Sequence, residues 1–369
     1  MSNRMRIILA ALVLGIAVVF LVDLFPADGD QFTSPYEGVD WETTQYYHVN
    51  LHTHTTLSDG NYDPHQAIDM YHDLDYDILS LTDHDTHHVH ERPQTLYPWT
   101  RLNDIYHELK DKIKSGSTTF GDNANEEWQD RDPDELDMLS VEGSEMSRTH
   151  HIGSYMSNYA EGEGDEETVF QEIAERDGIT MFFHPGRYDH EPEWYVDFFR
   201  RHPHLVGMEI YNQVDRYPVD RAKWDRILYR MMPERPVWGF ANDDTHATEH
   251  FGANRNIFLL PDKSLENVRE AMLEGHIYLY VPEELGGRPG VQITNIETTG
   301  NQVSLTIEGE VNEVQWITHD PEIDDSHTVH SGMEINMADV PEEANFVRAL
   351  ILSDDGKTYT QPFGIRRAE

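Results

Sequence analysis

The 369-residue chain contains no cysteine. Disulfides and thiolate ligands are therefore excluded, and any transition metal must be held by imidazole and carboxylate. Lysine is scarce too. Of 27 basic residues 6 are Lys and 21 are Arg, against 69 Asp and Glu, for a formal net charge of -42. So acidic a surface repels nucleic acid and anionic lipid, which excludes bulk nucleic-acid binding. A Lys-poor acidic surface suits very high salt, where repulsion is screened within about 3 Å at 1 M, and predicts a halophilic protein. An ordinary acidic secreted protein is the alternative.

Long apolar runs are equally scarce, with one exception. Arg4 and Arg6 precede a run from Ile7 to Val22, interrupted only by Gly15 and followed by Asp23. Basic residues before the run and acidic ones after it place the N-terminus in the cytoplasm and the remainder outside. Extended to Phe25, the run is just long enough to span a bilayer, which takes ~17–25 residues. No clear A-x-A site follows. The expectation is an uncleaved single-pass anchor over residues 1–25, with a cleaved signal peptide and a secreted product as the alternative.

What is present organises the rest. Residues 26–44 read as a polar linker, and residues 45–285 alternate short apolar strands with amphipathic helices. Strands are expected at Tyr46–Leu51, Ile78–Leu81, Met138–Val141, Ile179–Phe183, Leu205–Ile210 and Val237–Phe240, and helices at Pro64–Asp73, Leu102–Ile113 and Glu166–Arg176. This alternation predicts an α/β barrel or an open parallel sheet. Hydrophobic residues at 38% are enough for a sizeable core. From residue 286 to 369 short alternating strands with Gly, Asp and Asn turns predict a small β-sandwich domain. The long polar stretch His87–Asp137 reads as an insertion over the site or as a surface loop.

Five polar clusters follow the expected strands. His52 and His54, at i and i+2 of a strand end, point to one side and can reach one metal; Asp59 and Gly60 lie on the next turn. Thr82-Asp83-His84-Asp85 is the second cluster. Glu142-Gly143-Ser144-Glu145 is the third, with His150 and His151 after it. His184-Pro185-Gly186-Arg187-Tyr188 and Asp244-Thr245-His246 complete the set. One His-x-His alone is a weak signal among 22 histidines. Five imidazole and carboxylate clusters, all at strand ends where barrels and open sheets place active sites, point to a multi-metal centre acting on oxygen-type substrates. His87, His88 and His90 lack strand context and read as loop residues, Asp83 and Asp85 as orienters of His84, and Glu161–Glu167 as solvated surface.

The order and spacing of these clusters resemble the PHP (polymerase and histidinol phosphatase) family over roughly residues 46–280. The C-terminal stretch, with Glu274-Gly275-His276-Ile277-Tyr278 and the later Phe346-Val347-Arg348 and Gln361-Pro362-Phe363, is similar to the β-module of longer members. The resemblance implies a distorted seven-stranded β/α barrel and a site for two or three divalent ions, Mn, Zn or Fe. It implies that His52, His54, Glu145 and Asp244 hold one ion. Glu145 would bridge to a second held by His184 and a histidine of the 150–151 pair, with His150 matching the family spacing best. Asp59, His84 and His246 would hold a third. The implied reaction is hydrolysis of a small phosphorylated compound by a metal-bridging hydroxide. A non-phosphate ester or amide, or a metal-loaded binding or scaffold protein, is the alternative.

Two arginines speak for phosphate. Arg148 lies three residues after Glu145 and Arg187 three after His184, and guanidinium matches phosphate oxygens bidentately. The resemblance supports Arg187 more than Arg148, whose offset departs by about one position from the family pattern. Pairing with a local carboxylate at the barrel rim is the structural alternative for both.

Overall fold

The computed structural model describes residues 29–84, 98–114, 127–159 and 164–368. The expected anchor, Asp85, the histidines 87, 88 and 90 and much of the expected insertion lie outside the described residues. Among those described, no helix is long and apolar enough to cross a membrane.

The chain is mixed α/β. In chain order the strands are β1 Gln31–Thr33, β2 Gln45–Asn50, β3 Ile78–Leu79, β4 Leu139–Ser140, β5 Gly143–Met146, β6 Ile152–Tyr155, β7 Ile179–Phe182, β8 Leu205–Asn212, β9 Trp238–Asn242, β10 Arg255–Leu260 and β11 Ile277–Pro282. The C-terminal strands are β12 Val291–Thr298, β13 Gln302–Gly309, β14 Glu313–Asp320, β15 Asp325–Ser331, β16 Glu334–Asn336, β17 Phe346–Ser353, β18 Gly356–Tyr359 and β19 Phe363–Arg366. The helices are α1 Pro64–Asp73, α2 Leu102–Lys114, α3 Glu166–Glu175, α4 Pro192–Arg201, α5 Val219–Met231 and α6 Leu265–Glu274.

Helix ends follow local chemistry. At α1 Gln66 Oε1 accepts from the Asp63 amide at 3.0 Å, and Pro64 fills the first helical position, where a missing N–H costs nothing. Asp165 caps α3 through the Thr168 amide at 3.0 Å. Ser264 opens α6, and Gly275 closes it with a left-handed φ of 78° that glycine adopts at no steric cost.

Strand order β5-β6-β7-β8-β9 forms one sheet, antiparallel across its first three strands and parallel from β7 to β9. In the larger sheet β10 pairs antiparallel with β2 on one side, and β3 and β4 follow in parallel. On its other side lie β11, β18 and β17, all antiparallel. Two isolated parallel bridges, Thr53 with Thr245 and His84 with Glu145, join the two sheets at the ends of their strands. The polar clusters sit at these joins. The main core packs α3, α4 and α5 against the five-stranded sheet, with Phe170, Phe182, Tyr195 and Trp224 fully buried.

The expected boundary at 285/286 runs through a continuous sheet, since Leu279 to Pro282 pair with Tyr359 to Gly356. The stretch expected as a linker is also built in. Strand β1 pairs with β19, Phe32 and Tyr36 are buried in the C-terminal core, and Tyr36 Oη donates to the Ile277 carbonyl at 2.9 Å.

Candidate metal centre

One carboxylate organises the site. Glu145, fully buried on β5, faces five imidazoles. Its Oε1 lies 2.5 Å from His151 Nδ1 and 3.2 Å from His184 Nε2. Its Oε2 lies 3.4 Å from His52 Nε2, 3.1 Å from His54 Nε2 and 3.0 Å from His84 Nδ1. Asp244 Oδ1 closes the opposite side, 3.3 Å from His52 Nε2, 3.1 Å from His54 Nε2 and 3.4 Å from His246 Nδ1. Asp59 reaches His246 Nε2 at 3.2 Å and His84 Nε2 at 3.5 Å.

Backbone geometry puts these groups there. His52 and His54 follow β2 and project to one side, as alternate residues of extended chain do. The turn after them needs Gly60, because a Cβ there would collide with the His54 carbonyl. His184 and Asp244 both take positive φ, 28° and 45°, a conformation that costs a non-glycine residue of order 1–3 kcal/mol and is held only by its surroundings.

The ring tautomers can be read from the outer contacts. His52 Nδ1 donates to Glu209 Oε1 at 2.9 Å. Ser58 Oγ donates to Asp83 Oδ1 at 2.6 Å and accepts from His54 Nδ1 at 3.2 Å. With Nδ1 turned outward, each Nε2 is the nitrogen left to meet an ion, and the two lie 3.0 Å apart and face two carboxylates. Glu145 Oε2 and His84 Nδ1 are buried and make no hydrogen bond. Lone pairs converge in this way around a cation. Ligands about 2.0–2.1 Å from a shared ion are spaced about 3.3 Å apart at tetrahedral angles, which matches the distances found apart from the direct 2.5 Å hydrogen bond between His151 and Glu145. Among the described residues four overlapping groups of three or more donors result: His54, Asp59, His84 and His246; His52, His54 and Glu145; His52, His184 and Asp244; and His84, Glu145 and His151. All are nitrogen and oxygen donors, a set suited to Zn, Mn or Fe.

The electrostatics agree. Burial opposes charge on His52, but Asp244, Glu209 and Glu145 outweigh it and push its pKa up to about 10. His84 is likewise pushed up to about 9, burial being outweighed chiefly by Glu145. Burial disfavours charge on Asp244 and Asp59 as well, yet the surrounding histidines hold both well below the usual carboxylate range. A field that holds protons on imidazole this firmly also holds a divalent cation.

Of the residues expected from sequence, His52, His54, Asp59, His84, Glu145, His184, Asp244 and His246 are brought together. His150 is not. Its Nδ1 bonds to the His151 carbonyl at 2.9 Å and its Nε2 to Tyr195 Oη at 3.0 Å, and its ring stacks on Tyr188 at 4.0 Å. Its neighbour His151 takes the place at Glu145, because β6 begins at Ile152 and the chain turns just before it. Asp83 does not orient His84; it accepts from Thr55 and Ser58 and so steadies His54. Sequence reading missed Glu209, which sits mid-strand in β8 where an apolar residue is the norm. A buried acid inside LVGMEIYN was its one signal.

The centre opens into a cavity of about 690 Å³, lined also by Ser147, Arg187, Gln213, Arg216 and His250. Arg148 is exposed and does not line it. Arg187 and Arg216 are exposed at the cavity and, among the described residues, neither forms an ion pair. Instead they lie over Tyr188 and Tyr217, at 5.9 and 5.1 Å from the ring centroids.

No family model and no curated protein matches this chain. Among solved structures it is similar to a two-domain protein from Bacteroides vulgatus described as containing a PHP-like metal-dependent phosphoesterase. The identity is 15%, the coverage 90% of this chain and 89% of that one, and the TM-score 0.45. A protein from Bifidobacterium adolescentis described as a metal-dependent phosphoesterase gives 13% identity, 61% and 96% coverage and a TM-score of 0.35. A lesion-specific endonuclease from Pyrococcus furiosus gives 12% identity, 62% and 56% coverage and a TM-score of 0.37.

Proposed function

We propose that this chain is a metal-dependent phosphoesterase of PHP type, hydrolysing a small phosphorylated compound. The observation that carries the reading is Glu145 encircled by five imidazoles, with Asp244 opposite. Divalent ions held there would activate water near neutral pH and offset charge on the phosphoryl oxygens. His52, His54, Glu145 and Asp244 would hold one ion. Glu145, His151 and His184 would hold a second, and Asp59, His84 and His246 a third. Arg187 and Arg216 favour phosphate over a neutral ester or amide, because a guanidinium without a carboxylate in so acidic a protein is available to a substrate anion. The two bridges between the sheets favour the distorted barrel of that family. We propose further that residues 1–25 anchor the chain with its hydrolase outside the cytoplasm.

The test is turnover of a phosphomonoester, a phosphodiester and a carboxylester, each with Mn²⁺ or Zn²⁺, by the protein and by Glu145→Gln. Metal-dependent phosphoester hydrolysis lost in the variant is expected. Carboxylester turnover alone would replace the phosphate reading. No turnover with full metal loading would favour a binding role.

A further inference from the structure

Glu209 lies on β8 beneath the centre, fully buried, and does not line the cavity from which substrate would be reached. Its two oxygens receive four hydrogen bonds. Oε1 accepts from His52 Nδ1 at 2.9 Å and from Asn242 Nδ2 at 2.9 Å. Oε2 accepts from the His184 amide at 2.8 Å and from Asn212 Nδ2 at 3.0 Å. One carboxylate thus ties a ring of one proposed ligand to the backbone of another. His184 is also the residue held at φ 28°.

We propose that Glu209 is a positioning residue that sets both the tautomer of His52 and the seat of His184, and thereby the metal affinity of the centre. This rests on the metal reading of the site. A proton kept on Nδ1 leaves Nε2 bare toward Glu145 and Asp244, and removing such an outer partner typically weakens metal binding ~10–100-fold. Full occupation of all four lone-pair positions explains why a carboxylate stands buried in the middle of β8. An amide cannot replace it. Asn242 is locked, since its Oδ1 accepts from the Leu51 amide at 3.1 Å and from Asn256 Nδ2 at 2.9 Å. A glutamine oxygen would therefore turn toward Asn242 and His52, and its NH₂ would meet the His184 amide donor to donor. Asn212 could flip to accept, as its Oδ1 makes no hydrogen bond, but the His184 amide could not.

The test compares Zn²⁺ and Mn²⁺ affinity, by competition with a chelating indicator, in the full chain and in Glu209→Gln and Glu209→Leu. Melting of the metal-free forms is followed in parallel. Glu209→Gln should weaken binding at least tenfold while His52 keeps its Nδ1 proton, and Glu209→Leu should weaken it further. In the Zn²⁺-loaded wild type, histidine ¹⁵N NMR should show a slowly exchanging Nδ1–H on His52, and Glu209→Leu should lose that signal. Affinity within twofold of wild type in a folded Glu209→Gln variant would overturn the proposal. So would a His52 ring without an Nδ1 proton in the loaded wild type, a result that stands even if both variants fail to fold. A wild type that binds no metal would instead remove the proposed function itself.

Discussion

His150 and His151 are adjacent, both buried, and destined for different work. His151 faces Glu145, while His150 is clamped between Tyr188 and Tyr195 and burial holds its pKa well below the usual histidine range. His151→Ala should weaken metal binding at least tenfold with little change in metal-free melting. His150→Ala should bind metal normally but lose about 2–4 kcal/mol of stability, the cost of a cavity where a ring was packed. Metal titration beside denaturant unfolding separates the two, and the reverse pattern would return His150 to the centre. Asp220 offers a second test. Burial pushes its carboxyl up to about 8, and it accepts from the Gly186 amide, so it supports the His184 turn from α5. A carboxyl raised in the folded state gives stability that is complete below its unfolded pKa of 3.8 and lost as pH rises through about 8. Asp220→Asn keeps the acceptor without the charge. Its melting temperature should match wild type near pH 4 and exceed it increasingly up to about pH 8, an advantage of about 1–3 kcal/mol. No difference at pH 9 would show that the charge is relieved by Lys223 or Arg221 nearby.

At the scale of elements, the loop from Gln213 to Pro218 is a cavity rim tied down by polar contacts. Gln213 Nε2 donates to the Asp244 carbonyl at 3.2 Å, Asn254 donates to the Gln213 carbonyl, and Asp215 pairs with Arg221 at 2.7 Å. The loop presents Arg216 to the cavity beside the turn that carries Arg187, where Tyr217 lies close to Gly186. Either arginine changed to Ala should lower phosphomonoester kcat/KM by about 1.5–3 kcal/mol, the size of a charged hydrogen bond, with metal content and melting unchanged. A matching loss of stability would make the arginine structural. Arg187 could be read from sequence because it follows a histidine within a motif; Arg216 could not, being one arginine of 21 in a polar loop. The same logic divides the elements. Helix α1 was legible to the residue, since Asp63, Pro64 and an apolar stripe announce it. Strands β5 and β6 were not, for GSEM and IGSY are short, polar and buried on both faces by the centre itself. Strands β10 and β11 escaped too, and the pairing of β11 with β18 closes a sheet that sequence pattern divides in two.

For the whole molecule, protons and metal compete. His52 and His84, raised to about 10 and 9, give the metal-free chain stability that is full below the unfolded pKa of 6.5 and lost as pH rises through those values. A bound ion displaces those protons, so the rise in melting temperature on adding Zn²⁺ should grow steadily from pH 6 to pH 9. A gain independent of pH would mean that the ion binds elsewhere. Salt acts on the surface instead. With a net charge of -42, repulsion should lower the melting temperature in dilute buffer and let it climb into molar KCl; a flat response would remove the halophilic expectation and leave the centre untouched. The proposed ligands are spread from His52 to His246, on loops from both sheets, and the sheet that carries the first of them is extended by β18 near the end of the chain. A nascent fragment that ends before His246 therefore lacks part of the donor set. Two-thirds of the 369 residues must be made before the last of these donors can join the others, so a shorter chain carries imidazoles and carboxylates that have nothing yet to close around.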